Sequence, residues 1–169
     1  MTSSSNKTEQ EMRQKVWEMI KDIRTSTMVT KSASGSLGAR PMHAQQAEKY
    51  DGVLWFFTSD RTAKVQDIEA NEDVLLVYAE PEDQNYVNIN GTAEIVRDRN
   101  MIKELWSAPL KTWFPDGPED PSIALIRFTP ESAEYWDAPN SAFLHAYGMV
   151  KAAITGTQPK AGDNDTVRM

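Results

Sequence analysis

The chain has 169 residues, a formal net charge of −7 and no cysteine. That length suits one domain with a real core and is short for two, and the lack of Cys removes disulfides, thiolate metal sites and thiol catalysis together. The acidic balance excludes a general nucleic-acid surface, which needs clustered Lys and Arg, yet leaves room for a small anionic ligand gripped by one or two cations.

No run of about 18 apolar residues is present, so no membrane-spanning segment is expected. The polar stretch from Met1 to Gln10 lacks the apolar core of a signal peptide. With the missing cysteines, this points to a cytoplasmic protein. Residues 1–8 are expected to be disordered, residues 9–154 to form the domain, and residues 155–169 to be a flexible polar tail.

The first element is a helix from about Thr8 to Ile23, because Met12, Val16, Met19, Ile20 and Ile23 form one helical stripe. The pattern then turns to β. Ser26–Ala33 is rich in Thr and Val, and the turn Ser34-Gly35-Ser36 leads into Leu37–Gln45. Val53–Thr58, Val74–Tyr78, Tyr86–Val96 and Ile123–Phe128 also read as strands, with β-branched and aromatic residues bounded by Gly, Asp and Pro. An acidic turn, Glu80-Pro81-Glu82-Asp83, separates two of them. Helices are expected over Ala63–Ala70, Arg99–Trp106 and Ala142–Ile154. Several short strands with few helices between them predict a mainly β fold, a closed or nearly closed antiparallel barrel with peripheral helices.

Two segments carry candidate chemistry. In Leu37–Gln45, Arg40 stands mid-strand beside Pro41, which has no N–H for a ladder and belongs at an edge. A gap in edge pairing is a place where a ligand can meet backbone; an ordinary surface ion pair is the plainer role for Arg40. In the second segment, Trp55-Phe56-Phe57 runs into Thr58 and Ser59, and a helix begins near Thr62. Hydroxyls, helix-start N–H groups and Lys64 make a ready anion site. Arg40, Thr58, Ser59, Thr62 and Lys64 together could hold a phosphate dianion. The blander alternative has Thr62 capping the helix and Lys64 in water.

These segments resemble the pyridoxamine 5′-phosphate oxidase-like superfamily, and more closely its stress-associated, FMN-binding general stress protein branch. The matching pieces are Ala39-Arg40-Pro41-Met42, Trp55-Phe56-Phe57-Thr58-Ser59 with Lys64, Gln66-Asp67-Ile68-Glu69, and Asn88-Ile89-Asn90-Gly91-Thr92-Ala93-Glu94. Leu105-Trp106, Trp113-Phe114 and a late strand ending Glu134-Tyr135-Trp136 complete the set. The resemblance implies an FMN-binding split barrel that works as a homodimer, with FMN (FAD is an option) in clefts between the subunits. It places Arg40 and Lys64 on the phosphate with Thr58 and Ser59 helping, and Pro41, Met42, Phe56 and Phe57 along the flavin ring. Trp136, with Tyr86 and Trp106 or Trp113, would come from the partner subunit. Core filling is the competing role for the three Trp. The expected partner is a small molecule or electron donor of unknown identity.

The likeness to the oxidase itself is incomplete. Gln45 replaces a Lys that closes the oxidase's Arg-led strand, and Phe143 replaces the Arg that precedes His145. A pocket missing two cations, each worth about 1.5–3 kcal/mol in charge-assisted bonds, would bind a phosphorylated pyridoxamine poorly. His43 and His145 lack a Glu or second His at ligand spacing, so no metal is expected. The expected function is therefore a flavin-dependent oxidoreductase of unassigned substrate. The alternatives are a non-catalytic flavin store or sensor, and a haem-binding split barrel, which would need one of the two histidines facing the cleft.

Overall fold

A computed structural model describes residues 8–45, 51–138 and 163–169. The first helix, α1 (Glu9–Ile23), opens with a reciprocal cap: the Glu11 N–H donates to the Thr8 hydroxyl (3.2 Å) and the Thr8 N–H donates to the Glu11 carboxylate (2.7 Å). Two donors that a helix start leaves unpaired are thereby satisfied. The α1 stripe buries Val16, Trp17, Met19 and Ile20.

The strands follow as β1 (Thr25–Lys31), β2 (Leu37–His43) and β3 (Leu54–Ser59), then, after helix α2 (Ala63–Ala70), β4 (Asp73–Glu80) and β5 (Asn85–Val96). Helix α3 (Arg99–Leu105) and two 3-10 turns, Ala108–Thr112 and Gly117–Glu119, lead to β6 (Ile123–Asp137) and β7 (Asp163–Arg168). One antiparallel sheet runs β2-β1-β4-β5-β6-β3, and β7 pairs with β6 beyond the point where β3 ends. The expected mainly β barrel with peripheral helices is the fold that forms.

Among the described residues, the two end strands of this path approach at a single rung. The Gln45 N–H donates to the Trp55 carbonyl at 2.7 Å. On one side of that rung β2 runs back to Arg40 and β3 runs forward to Thr58. Among the described residues the barrel is closed by one bridge and split beyond it.

Period-two alternation sorts the side chains. Met28, Leu76, Tyr78, Val87, Ile89, Phe56, Phe128 and Tyr135 point inward and form the main core with α1. A second, smaller core lies on the other side of β3, where Phe57, Ile102, Leu110, Phe114, Ile123 and Leu125 pack with half-buried Trp106. The long strands bend where the β5–β6 register shifts between Asn90 and Gly91. A side chain at Gly91 would collide with the Thr129 carbonyl and meet the Phe128 ring at 2.7 Å. Only glycine fits a backbone approach this close.

Three expectations change. The residues read as strand Ile123–Phe128 and as a late strand ending at Trp136 are one continuous β6, passing through Pro130 at the irregularity. The C-terminal residues, read as a flexible tail, include β7, whose Val167 is buried against the core. The Met169 N–H donates to Glu131 (2.9 Å) and the Arg13 guanidinium to the Arg168 carbonyl (2.7 Å), tying this strand to β6 and α1. Disorder is expected over residues 1–8, but Thr8 is ordered as the cap of α1; residues 1–7 and the expected helix Ala142–Ile154 lie outside the described residues. Among the described residues no helix is long and apolar enough to cross a membrane.

A candidate anion site at the split mouth

The inner face of β2 carries Gly38, Arg40 and Met42, and the outer face carries Leu37, Ala39, Pro41 and His43. Arg40 therefore turns toward the barrel mouth that α2 covers. Its Nη1 donates to the Thr30 hydroxyl (2.6 Å) and to the Met28 carbonyl (3.4 Å), and its Nη2 lies 3.7 Å from an Asp67 carboxylate oxygen. Thr30 in turn donates to that same oxygen at 2.8 Å.

Across the split, Thr58 ends the inward row of β3 and is buried. Lys64, in the first turn of α2, donates to the hydroxyls of Thr58 (3.1 Å) and Thr62 (3.3 Å). Thr62 stands at the helix N-cap position but makes no side-chain cap; its hydroxyl donates to the Ser59 carbonyl at 2.9 Å. The capping alternative is not the one the side chain adopts. Ser59 itself is half-buried on the outer row.

Lys64 is half-buried, and among the described residues no carboxylate lies within 4.0 Å of its ammonium. Burial holds the ammonium below the usual lysine pKa, and the positive charge of Arg40 pushes the same way. Two cations and one carboxylate thus share a mouth lined by hydroxyls, in a chain whose overall charge is negative. Two like charges brought together and partly desolvated are costly to leave without an anion. The donor set suits a phosphate: a guanidinium, an ammonium and hydroxyls, with Arg40 Nε and Nη2 donating to nothing among the described residues.

The β3–α2 turn is braced from outside. Arg97 bridges Asp60 and Glu69, both at 2.7 Å, and its guanidinium holds the Asp60 carboxyl below the usual carboxylate range.

The remaining candidates scatter. Phe56 is fully buried in the main core, so its side chain lines no mouth. Phe57 is buried on the opposite side of β3, edge-on to Trp106 at 6.0 Å and 6.4 Å from Phe114. Met42 is half-buried against the main core. Trp113 is 79% exposed. Tyr86 and Trp136 are register partners on the outer sheet face, in one row with Ala79. His43 is exposed on the outer face of β2, and His145 lies outside the described residues. Among the described residues no group of His and carboxylates could hold a metal. Two residues of the cluster, Thr30 and Asp67, are not among the sequence candidates. For Asp67 the only hint in the sequence is its place one helical turn after Lys64; Thr30 joins the cluster through the β1–β2 register, which pairs it with Gly38.

An antiparallel barrel split at one seam, with a basic, hydroxyl-lined mouth, defines the class of protein. The chain belongs to the pyridoxamine 5′-phosphate oxidase-like family, whose model matches residues 11–160. It is 28% identical over 134 residues to general stress protein 26 of Bacillus subtilis, covering 77% of this chain and 91% of that protein. A solved structure from Jannaschia sp., assigned to general stress protein 26, superposes with a TM-score of 0.75 at 26% identity over 95% of this chain and 99% of that one. The general stress FMN/FAD binding protein of Xanthomonas citri superposes at 0.67 with 27% identity, covering 79% of this chain and 92% of that one.

Proposed function

We propose that the chain binds FMN, with the terminal phosphate on Arg40, Lys64, Thr58, Ser59 and Thr62, and works as a flavin-dependent oxidoreductase of a small molecule. The observation that carries this is Lys64, an ammonium partly withdrawn from water beside a second cation and without a carboxylate of its own among the described residues. A phosphate dianion supplies the missing charge through charge-assisted bonds. FAD offers no terminal dianion there, which makes FMN the better fit.

Bound flavin supplies hydride chemistry of its own, while the protein supplies position and electrostatics. Arg40 and Lys64 fix one end of the cofactor, and the hydroxyls of Thr58 and Thr62 orient the ammonium. The free edge of β2, with Pro41 at its middle, lies between this mouth and the outer face of the sheet. That face carries Leu37, Ala39, Val29, Leu75, Val77, Ala79, Tyr86 and Trp136 interspersed with Thr27, Asn88, Asn90 and Glu134, and among its large apolar side chains Leu37 and Tyr86 are exposed. A mixed face of this kind, with an aromatic pair at one end, suits a second copy of the chain. In such a homodimer Tyr86, Trp136 and the exposed Trp113 of one subunit wall the ring held by the other.

Phosphorylated pyridoxamine is not the substrate in this reading, because position 45 offers no cation: the Gln45 backbone N–H makes the closing rung and its side-chain oxygen accepts from the Ser107 hydroxyl (2.9 Å). A haem reading has no support from His43, which faces away from the mouth.

Replacing Arg40 and Lys64 together by Ala should weaken FMN binding by roughly 3–6 kcal/mol while riboflavin binding changes little. Fluorescence titration of both ligands measures this, and equal losses would show that the phosphate is not held there. Reduction of bound flavin by a nicotinamide donor, faster than free flavin, separates an oxidoreductase from a store.

A further inference from the structure

We propose that Thr30, locked by Asp67, is a positioning residue that aims the Arg40 guanidinium at the phosphate. The proposal rests on the phosphate reading above.

The polarity of this short relay is fixed by chemistry. A guanidinium only donates, an ionised carboxylate only accepts, and a hydroxyl has a single proton. Thr30 gives that proton to Asp67, so it must offer a lone pair to Arg40 Nη1. Thr30 is 1% exposed, which denies water the chance to compete for either bond. Its β-branched side chain also has few χ1 options, so the acceptor stays where β1 puts it.

The rest of the guanidinium is left free in a defined direction. Nη1 is used by Thr30 and the Met28 carbonyl, and Nη2 at 3.7 Å from Asp67 is beyond hydrogen-bond reach. Gly38 leaves room for this pose, since a Cβ there would sit 2.7 Å from Nη2. Arg40 is thus pinned on one side and open on the other before any ligand arrives. A long, flexible side chain held in this way loses less freedom on binding, which strengthens the contact it makes.

The test measures FMN and riboflavin affinity in Thr30→Val and Thr30→Ser, alone and in an Arg40→Ala background. Thr30→Val keeps the shape and removes the relay. It should weaken FMN about ten-fold, with riboflavin changed less than about two-fold. Thr30→Ser restores the relay and should stay within about three-fold of the parent for FMN. With Arg40 already gone, Thr30→Val should cost FMN nothing more, because Thr30 acts through Arg40. Equal losses of both ligands, no FMN loss at all, or an additive loss in the Arg40→Ala background would each overturn the assignment. Should Arg40→Ala itself leave FMN affinity intact, the phosphate reading fails first, a result distinct from failure of the relay.

Discussion

Phe57 and Thr58 are neighbours on β3, and each anchors a different region. Phe57 faces an aromatic pocket of Trp106, Phe114, Leu110 and Ile102, satisfied by contact alone. Thr58 faces the split mouth, where its hydroxyl accepts from the Lys64 ammonium and no carboxylate among the described residues meets that charge. The first region is finished within the chain; the second is poised for an ion. One strand, by alternating its side chains, serves stability on one side and recognition on the other.

Three measurements would break or sharpen that division. The largest effect is expected from Phe57→Ala, which should cost about 3–5 kcal/mol of folding stability by thermal or urea unfolding. The affinity of the folded variant for FMN and for riboflavin should not move; an equal loss of both would place Phe57 along the ring after all. Next, Lys64→Met should weaken FMN by about 1.5–3 kcal/mol near neutral pH. The ammonium titrates below the usual 10.5 in the free protein, and a bound dianion favours its protonated form. FMN binding should therefore take up a proton in the alkaline range, and affinity should fall as pH rises toward 10.5. In Lys64→Met that decline should vanish; its persistence would assign the titration elsewhere. The smallest effect is expected from Arg97→Ala, which removes an exposed bridge to Asp60 and Glu69. Its urea midpoint should report less than about 1 kcal/mol.

Much of the fold is legible in the sequence because local signals agree. The α1 stripe and the bounds of α2 need nothing beyond spacing and propensity. Strand β7 is different: Asp163-Asn164-Asp165-Thr166-Val167-Arg168 is poor strand material by composition, and only pairing with a distant β6 makes it one. Likewise Pro130 reads as a strand breaker, although it sits where the ladder already shifts.

The site is half legible for a similar reason. Arg40, Thr58, Thr62 and Lys64 announce themselves by residue type beside an edge proline and a helix start. Thr30 and Asp67 are unremarkable in type, and matter only because β1 and α2 bring them against Arg40. The aromatics mislead in the opposite sense. Phe56, Phe57 and Trp113 look alike in sequence, yet one fills the core, one fills the pocket and one stands in solvent. On β3, position along the alternating strand separates Phe56 from Phe57, and a shift of one residue would exchange them; Trp113 follows the 3-10 turn Ala108–Thr112 and lies on no strand.

Strand β6 has neighbours along both edges for most of its length, with β5 on one side and β3 then β7 on the other. Strand β2 has β1 on one edge and, among the described residues, only the rung from Gln45 just beyond it to Trp55 on the other. Amide protons in β6 therefore exchange with solvent only when the whole domain comes apart, whereas β2 can breathe on its own. The strand that carries Arg40 is thus the one able to loosen while the rest holds, so a ligand could come and go without unfolding the barrel around it.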